Sequence, residues 1–300
     1  PAEARAPGGK LQVGYWGMEL GRRLVESQQV PICLINGAVG GTRIDQHQRD
    51  AADPTNPATI YGRLLWRIRA AGLDHGIRGI LWHQGENDQG ADGPDDTFGF
   101  RHYRWYFDRM AVSWRQDYPN AQRLHLFQIW PKSCSMGING SDNALREQQR
   151  QLKAAYEHLD IMPTLGIRPP GGCHFPAAGY AEFAKLMVPL LERDHYGVKG
   201  VQPVSAPNLL TAEWKDDDKQ DSVVLTFDQP VVWRDELASE FTFTAWAPEF
   251  NTAVTPVKVV AGSVQGNTLT LKLQGDTRGM GAIRYLDSKN WSQDRLLMGA

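Results

Sequence analysis

The feature that most constrains this chain is an alternation repeated over residues 1–200: short apolar runs that break into glycine and polar residues, separated by segments with helical apolar spacing. From about Leu11 to Ser27, Val13, Trp16, Leu20 and Leu24 recur at helical intervals, and Val30 to Ile35 then reads as a strand ending in Asn36-Gly37. Helices expected at about Ala58 to Ala71, Phe100 to Asp117 and Asn143 to His158 precede strands expected at Ile77 to His83, Leu124 to Trp130 and Ile161 to Ile167. A last helix runs from about Ala177 to Glu192. Strands separated by helices predict an α/β/α sandwich, with a parallel sheet between two helical layers. Ligands of such sheets bind beyond the carboxyl ends of the strands, where the polar clusters of this sequence fall.

After Gly200 the pattern changes. Val223, Leu225 and Phe227 alternate with polar residues, as do Phe241 and Phe243, and Leu269, Leu271 and Leu273, with glycine, Asp and Asn turns between them. The expected organisation is an α/β domain over 1–200 and a small β-sandwich domain over 201–300. Asp216-Asp217-Asp218 reads as a solvated turn, because a calcium loop needs a following ligand pattern that is absent.

Composition narrows the function classes. With 32 Lys and Arg against 34 Asp and Glu, nothing favours a nucleic-acid partner. No run of 18 apolar residues exists to cross a membrane. Ten tryptophans and nine tyrosines suit sugar stacking, although large aromatics more often fill cores. Three cysteines without CxxC spacing argue against a zinc site, and no metal or cofactor is expected. Cys33 is expected as a small buried hydrophobe, while Cys134 and Cys173 fall in loops and can pair in an oxidising compartment.

Two loops carry residue types suited to chemistry. Gly40-Gly41-Thr42 follows an apolar run, and its glycines free the backbone to aim N–H groups at developing negative charge. His83-Gln84-Gly85-Glu86-Asn87-Asp88 follows another, too dense in polar side chains to pass as an ordinary surface loop. His174 sits between Pro169-Pro170-Gly171-Gly172-Cys173 and a helix, beyond the last strand of the first domain. A lone loop histidine is usually structural, and this position shifts the reading toward base chemistry.

Val39-Gly40-Gly41-Thr42, the HQGE run at 83–86 with Asn87-Asp88, Trp114-Arg115, Leu145-Arg146-Glu147-Gln148-Gln149 and His174-Phe175 with Gly179-Tyr180 occur in order. Together they resemble the sialate O-acetylesterase and acetylxylan esterase group of SGNH hydrolases over residues 10–190. The C-terminal stretch resembles the β-domain that closes many of these enzymes. The resemblance implies a serine-type carbohydrate esterase, periplasmic or secreted, that removes acetyl groups from an oligo- or polysaccharide without a cofactor. His174 would then be the catalytic base, with Gly40 and Gly41 and either Asn87 or Gln84 at the oxyanion hole. His83, Asp88 and Thr42 would lie at the substrate.

The family's nucleophile occupies a Gly-Gln-Ser-Asn segment that this sequence lacks, so the expectation is that an N-terminal part, of the same protein or as a separate chain, supplies it. The family also places an Asp three residues before its histidine, where this chain has Gly171, which leaves Glu86 as the carboxylate expected to orient His174. The rival expectation, motivated by both departures, is a carbohydrate-binding protein on a decayed esterase fold. Phospholipid hydrolysis is weaker, since no apolar lid or membrane-binding helix is visible.

Overall fold

The structure, a computed structural model, describes residues 13–89, 97–131, 141–200, 205–245, 256–286 and 291–300. The chain divides into two compact units, Pro1–Val204 and Ser205–Ala300.

The first unit contains α1 (Tyr15–Gln28), α2 (Ile60–Ala70), β1 (Gly79–His83), α3 (Tyr103–Asp117), β2 (Arg123–Gln128), α4 (Ser141–Ala155), β3 (Leu159–Pro163) and α5 (Ala177–Tyr196). The strands form a parallel sheet in the order β1-β2-β3, with Leu81 opposite His125 and His125 opposite Asp160. Side chains alternate across this sheet, so Phe127 and Met162 join Leu20 and Leu24 of α1 and Phe183 and Met187 of α5 in one apolar layer. On the other face Trp82 meets Trp114 of α3 at 5.4 Å between ring centres, and α4 packs against β2 and β3. Burying each such large apolar side chain contributes about 1.5–3 kcal/mol, enough for these helices to be fixed by their apolar faces.

Caps and turns set the ends. Thr59 accepts the Gly62 N–H at 2.9 Å at the start of α2. Gly197, at φ +70°, stops α5 in the left-handed conformation that favours glycine.

Two expectations need correction. The apolar run Val30 to Ile35 lies outside any strand, and β2 is the one strand paired with β1 among the described residues. An apolar run becomes a strand only where a neighbour takes up its N–H and C=O groups. Here the segment is held through side chains instead, with Leu34 against Gly21 of α1 and Leu64 of α2 against Gly37. Cys33, expected to be buried, is an exposed free thiol for the same reason. Cys173 is disulfide-bonded, and Cys134 lies outside the described residues.

The second unit comprises β4 (Leu209–Trp214), β5 (Ser222–Phe227), β6 (Val231–Val232), β7 (Phe241–Ala245), β8 (Val257–Gln265), β9 (Thr268–Gln274), β10 (Met280–Tyr285) and β11 (Met298–Gly299). Six strands form an antiparallel sheet in the order β10-β7-β8-β9-β5-β4, and β11 pairs with β6. The alternating residues Val223, Leu225, Phe227, Leu269, Leu271 and Leu273 point into a single core that also takes Val231 and Leu297. Asp216 accepts N–H bonds from Asp218 at 3.0 Å and Lys219 at 3.2 Å, which makes the acidic triplet a self-capped turn.

Candidate active site

The HQGE segment leaves β1 at its carboxyl end. Gly85 has φ +142°, and a β-carbon there would lie 2.8 Å from Ile129 Cγ2 and 3.0 Å from Gln149 Nε2. Both conformation and space therefore require glycine. The carbonyl of Gln84 accepts from Tyr103 Oη at 3.1 Å and from Gln149 Nε2 at 3.0 Å, while Gln149 Oε1 accepts from the Ile129 N–H at 3.0 Å. Gln148 accepts from the Arg104 N–H at 3.1 Å and donates to the Phe100 carbonyl at 2.6 Å. The Gln148-Gln149 pair of α4 thus fixes the loop after β1 and the start of α3. Sequence reading gave these glutamines no role, because their partners are far away along the chain.

The glycine turn docks onto this loop. Gln84 Nε2 donates to the Thr42 carbonyl at 3.1 Å and to Asp88 Oδ2, and Asp88 also accepts the Ile44 N–H at 3.1 Å. Thr42 Oγ1 donates to the Val39 carbonyl at 2.7 Å and meets His47 Nε2 at 2.7 Å. Burial pushes the His47 imidazole down to about 4 against the opposing pull of Asp45, so the ring is neutral near pH 7.

These contacts engage three residues that were expected at the oxyanion hole or the substrate. Both N–H groups of the Gln84 amide are engaged, which leaves none for an oxyanion. Asp88 is fully buried and holds the Ile44 N–H, so it faces the loop rather than a substrate. The hydroxyl of Thr42, also expected at the substrate, is committed to Val39 and His47. By contrast, the N–H groups of Gly40 and Gly41 make no hydrogen bond among the described residues, and a β-carbon on Gly41 (φ +77°) would meet open space. Asn87 is exposed.

Burial pushes the Asp88 carboxyl up to about 7, outweighing the Gln84 and Ile44 donors that favour its charged form. A carboxyl with a folded pKa above its unfolded value stabilises the fold below the unfolded value, near 4, and that contribution disappears as pH rises through about 7. His47 and His125, both held down to about 4 mainly by burial, act oppositely, since the unfolded chain takes up protons first as pH falls below about 6.5. Asp88→Asn is therefore expected to lose stability more steeply than the parent between pH 7 and pH 4, read by urea unfolding across that range. Parallel pH profiles would show that Asp88 titrates normally.

His83, Glu86 and His174 form the reactive-looking group. His83 Nε2 lies 3.0 Å from Glu86 Oε1, with both side chains 16% exposed. The His83 ring stacks on Phe183 at 5.6 Å and tilts against Phe127 at 5.7 Å, so the apolar layer below the sheet fixes its orientation. Burial raises the Glu86 pKa, but the charge and hydrogen bond of His83, with a smaller contribution from His174, hold it below the ordinary carboxylate value. Glu86 is thus bonded directly to His83 and coupled to His174 through space, where direct pairing with His174 was expected.

His174 is exposed, and its ring makes no hydrogen bond among the described residues. Its neighbour Phe175 is buried against Trp130 and Tyr180, each 5.8 Å away between ring centres. The turn is tight. A β-carbon on Gly171 would lie 2.4 Å from the His174 carbonyl oxygen and 2.4 Å from Phe175 Cα, so this loop has no room for a carboxylate three residues before the histidine.

Among the described residues one group has metal-ligand chemistry. His125, Asp160 and Asp194 offer atoms within 4.8 Å of one another, toward the amino ends of β2 and β3 and away from the HQGE loop. The Arg193 guanidinium bonds both carboxylates and already supplies the balancing positive charge.

A family model described as carbohydrate esterase, sialic acid-specific acetylesterase, matches residues 6–191, well over half of the chain. The chain belongs to this family. A carbohydrate acetylesterase from Xanthomonas citri shares its fold with a TM-score of 0.69 at 20% identity, covering 95% of this chain and 62% of that structure. The chain therefore spans under two thirds of the length of that solved relative. None of the curated proteins compared with it by sequence matches.

Proposed function

We propose that this carbohydrate esterase hydrolyses acetyl esters on a glycan by a serine-histidine-acid mechanism, with the serine supplied by a part of the protein outside residues 1–300. The observation that carries this reading is an exposed His174 ring, without a hydrogen bond among the described residues, whose charge is felt by a carboxylate, Glu86, that His83 already holds in place.

In this mechanism His174 takes the serine proton as the oxygen attacks the acetyl carbonyl carbon. The carbonyl electrons move onto oxygen, where the free N–H groups of Gly40 and Gly41 and the Asn87 amide are suited to receive the negative charge. Collapse of the tetrahedral intermediate breaks the bond to the sugar oxygen, which His174 protonates. Water, deprotonated by the same imidazole, then releases acetate from the acetyl-enzyme. Glu86 stabilises the imidazolium, and His83 acts through Glu86 as a positioning residue.

The run His174-Phe175-x-x-Ala178-Gly179-Tyr180 resembles esterases of plant polysaccharides, which favours acetylated xylan or xyloglucan over sialic acid. Such a substrate suits a periplasmic or secreted protein. Acetate release from acetylated xylan by the full-length protein, halted by a serine-directed phosphonate, is the expected result. Glycan binding without acetate release would identify a decayed esterase instead.

A further inference from the structure

The first turn of α3 carries more exposed aromatic surface than its packing requires. Trp105 is 52% exposed, yet it lies two residues from Tyr103, whose hydroxyl holds the Gln84 carbonyl of the HQGE loop. Its ring is oriented by neighbours: Tyr106 meets it edge-on at 4.7 Å, and the Arg109 guanidinium lies 4.6 Å from its centre. Arg109 is itself exposed and forms no ion pair among the described residues. From Trp105 the surface continues toward the glycine turn. Tyr106 Oη donates to the Thr97 carbonyl at 2.8 Å, Phe98 follows, and the Arg43 guanidinium lies 3.9 Å from the Phe98 ring centre. Arg43 adjoins Thr42, whose carbonyl Gln84 holds.

We propose that Trp105, Tyr106 and Phe98 with Arg109 and Arg43 form a glycan subsite, a ledge on which a pyranose ring flanking the acetylated one stacks. An indole ring fixed on one side by a cation and at its edge by a phenol loses little freedom when a sugar covers its remaining face. The location follows from the contacts rather than from Tyr103, which lies on the opposite face of α3: Tyr106 joins Trp105 to Thr97, and Phe98 joins that segment to Arg43 beside the glycine turn. This inference rests on the proposed esterase reading for its ligand class, and its test is chosen to be separable from that reading.

Binding of xylohexaose and of sialyllactose to the full-length protein, measured by titration calorimetry, needs no turnover. Trp105→Ala is expected to weaken binding of the recognised glycan about 5–10-fold, the loss of roughly one aromatic stacking contact, with Trp105→Phe recovering part of it. Kinetically, Trp105→Ala should lower kcat/KM on acetylated xylan, through KM, far more than on p-nitrophenyl acetate. Equal affinities of parent and variant for both glycans, or no glycan binding by the parent, would overturn the subsite. Trp105-dependent binding without acetate release would keep the subsite and remove the esterase reading.

Discussion

Replacing His174 with alanine in the full-length protein is expected to lower kcat on acetyl esters on the order of 10,000-fold, while leaving the unfolding midpoint nearly unchanged. The two halves of that result have separate causes. The ring is exposed and bonds to no described residue, so its removal costs the fold little. The reaction loses its only proposed proton carrier, and both the attack and the departure of the sugar oxygen need one. Glu86→Gln keeps the shape but not the charge, and should reduce kcat less than His174→Ala. Turnover of p-nitrophenyl acetate that survives His174→Ala would remove the histidine from the mechanism.

Asp117→Ala is expected to destabilise the first unit by about 3–5 kcal/mol, the usual cost of deleting one partner of a buried ion pair. Asp117 is 3% exposed at the end of α3 and accepts from Arg49 Nε at 2.8 Å, Arg69 Nη2 at 2.9 Å and Tyr61 Oη at 2.9 Å. The variant leaves two guanidinium groups and a phenol without their shared acceptor. Because Arg49 lies just beyond Ile44–His47, a short 3-10 helix, the same change should slacken the segment that follows the glycine turn. Urea unfolding at neutral pH measures the first effect, and a loss below about 1 kcal/mol would show that the cluster behaves as a surface pair.

The parallel sheet was legible in the sequence because burial on two faces forces both a strand-length apolar run and helices with one apolar stripe. Trp16, Leu20 and Leu24 announce their layer by spacing alone. Val30 to Ile35 misled for a physical reason: apolar content reports burial tendency, whereas a strand also requires a hydrogen-bonding neighbour. In the site, the motifs located the two loops and the histidine turn, but not which side chains are spent on the scaffold. Gln84 and Asp88 look as available in the sequence as Asn87 does. Only the approach of Thr42 and Ile44, 42 and 44 positions away, uses up their capacity. The exclusion of a carboxylate at Gly171 is equally invisible without the turn that presses it against Phe175.

Because Gln84 and Asp88 grip the glycine turn from behind, its backbone dipoles are aimed during folding rather than on the arrival of a ligand. A newcomer would meet a finished cradle, and little of its binding energy would go into reshaping the protein. Damage to the grip should therefore surface first as lost thermal resistance and only secondarily as slower chemistry. That ordering is opposite to the one set by a residue such as His174, whose exposed ring bonds to no described residue and holds nothing up.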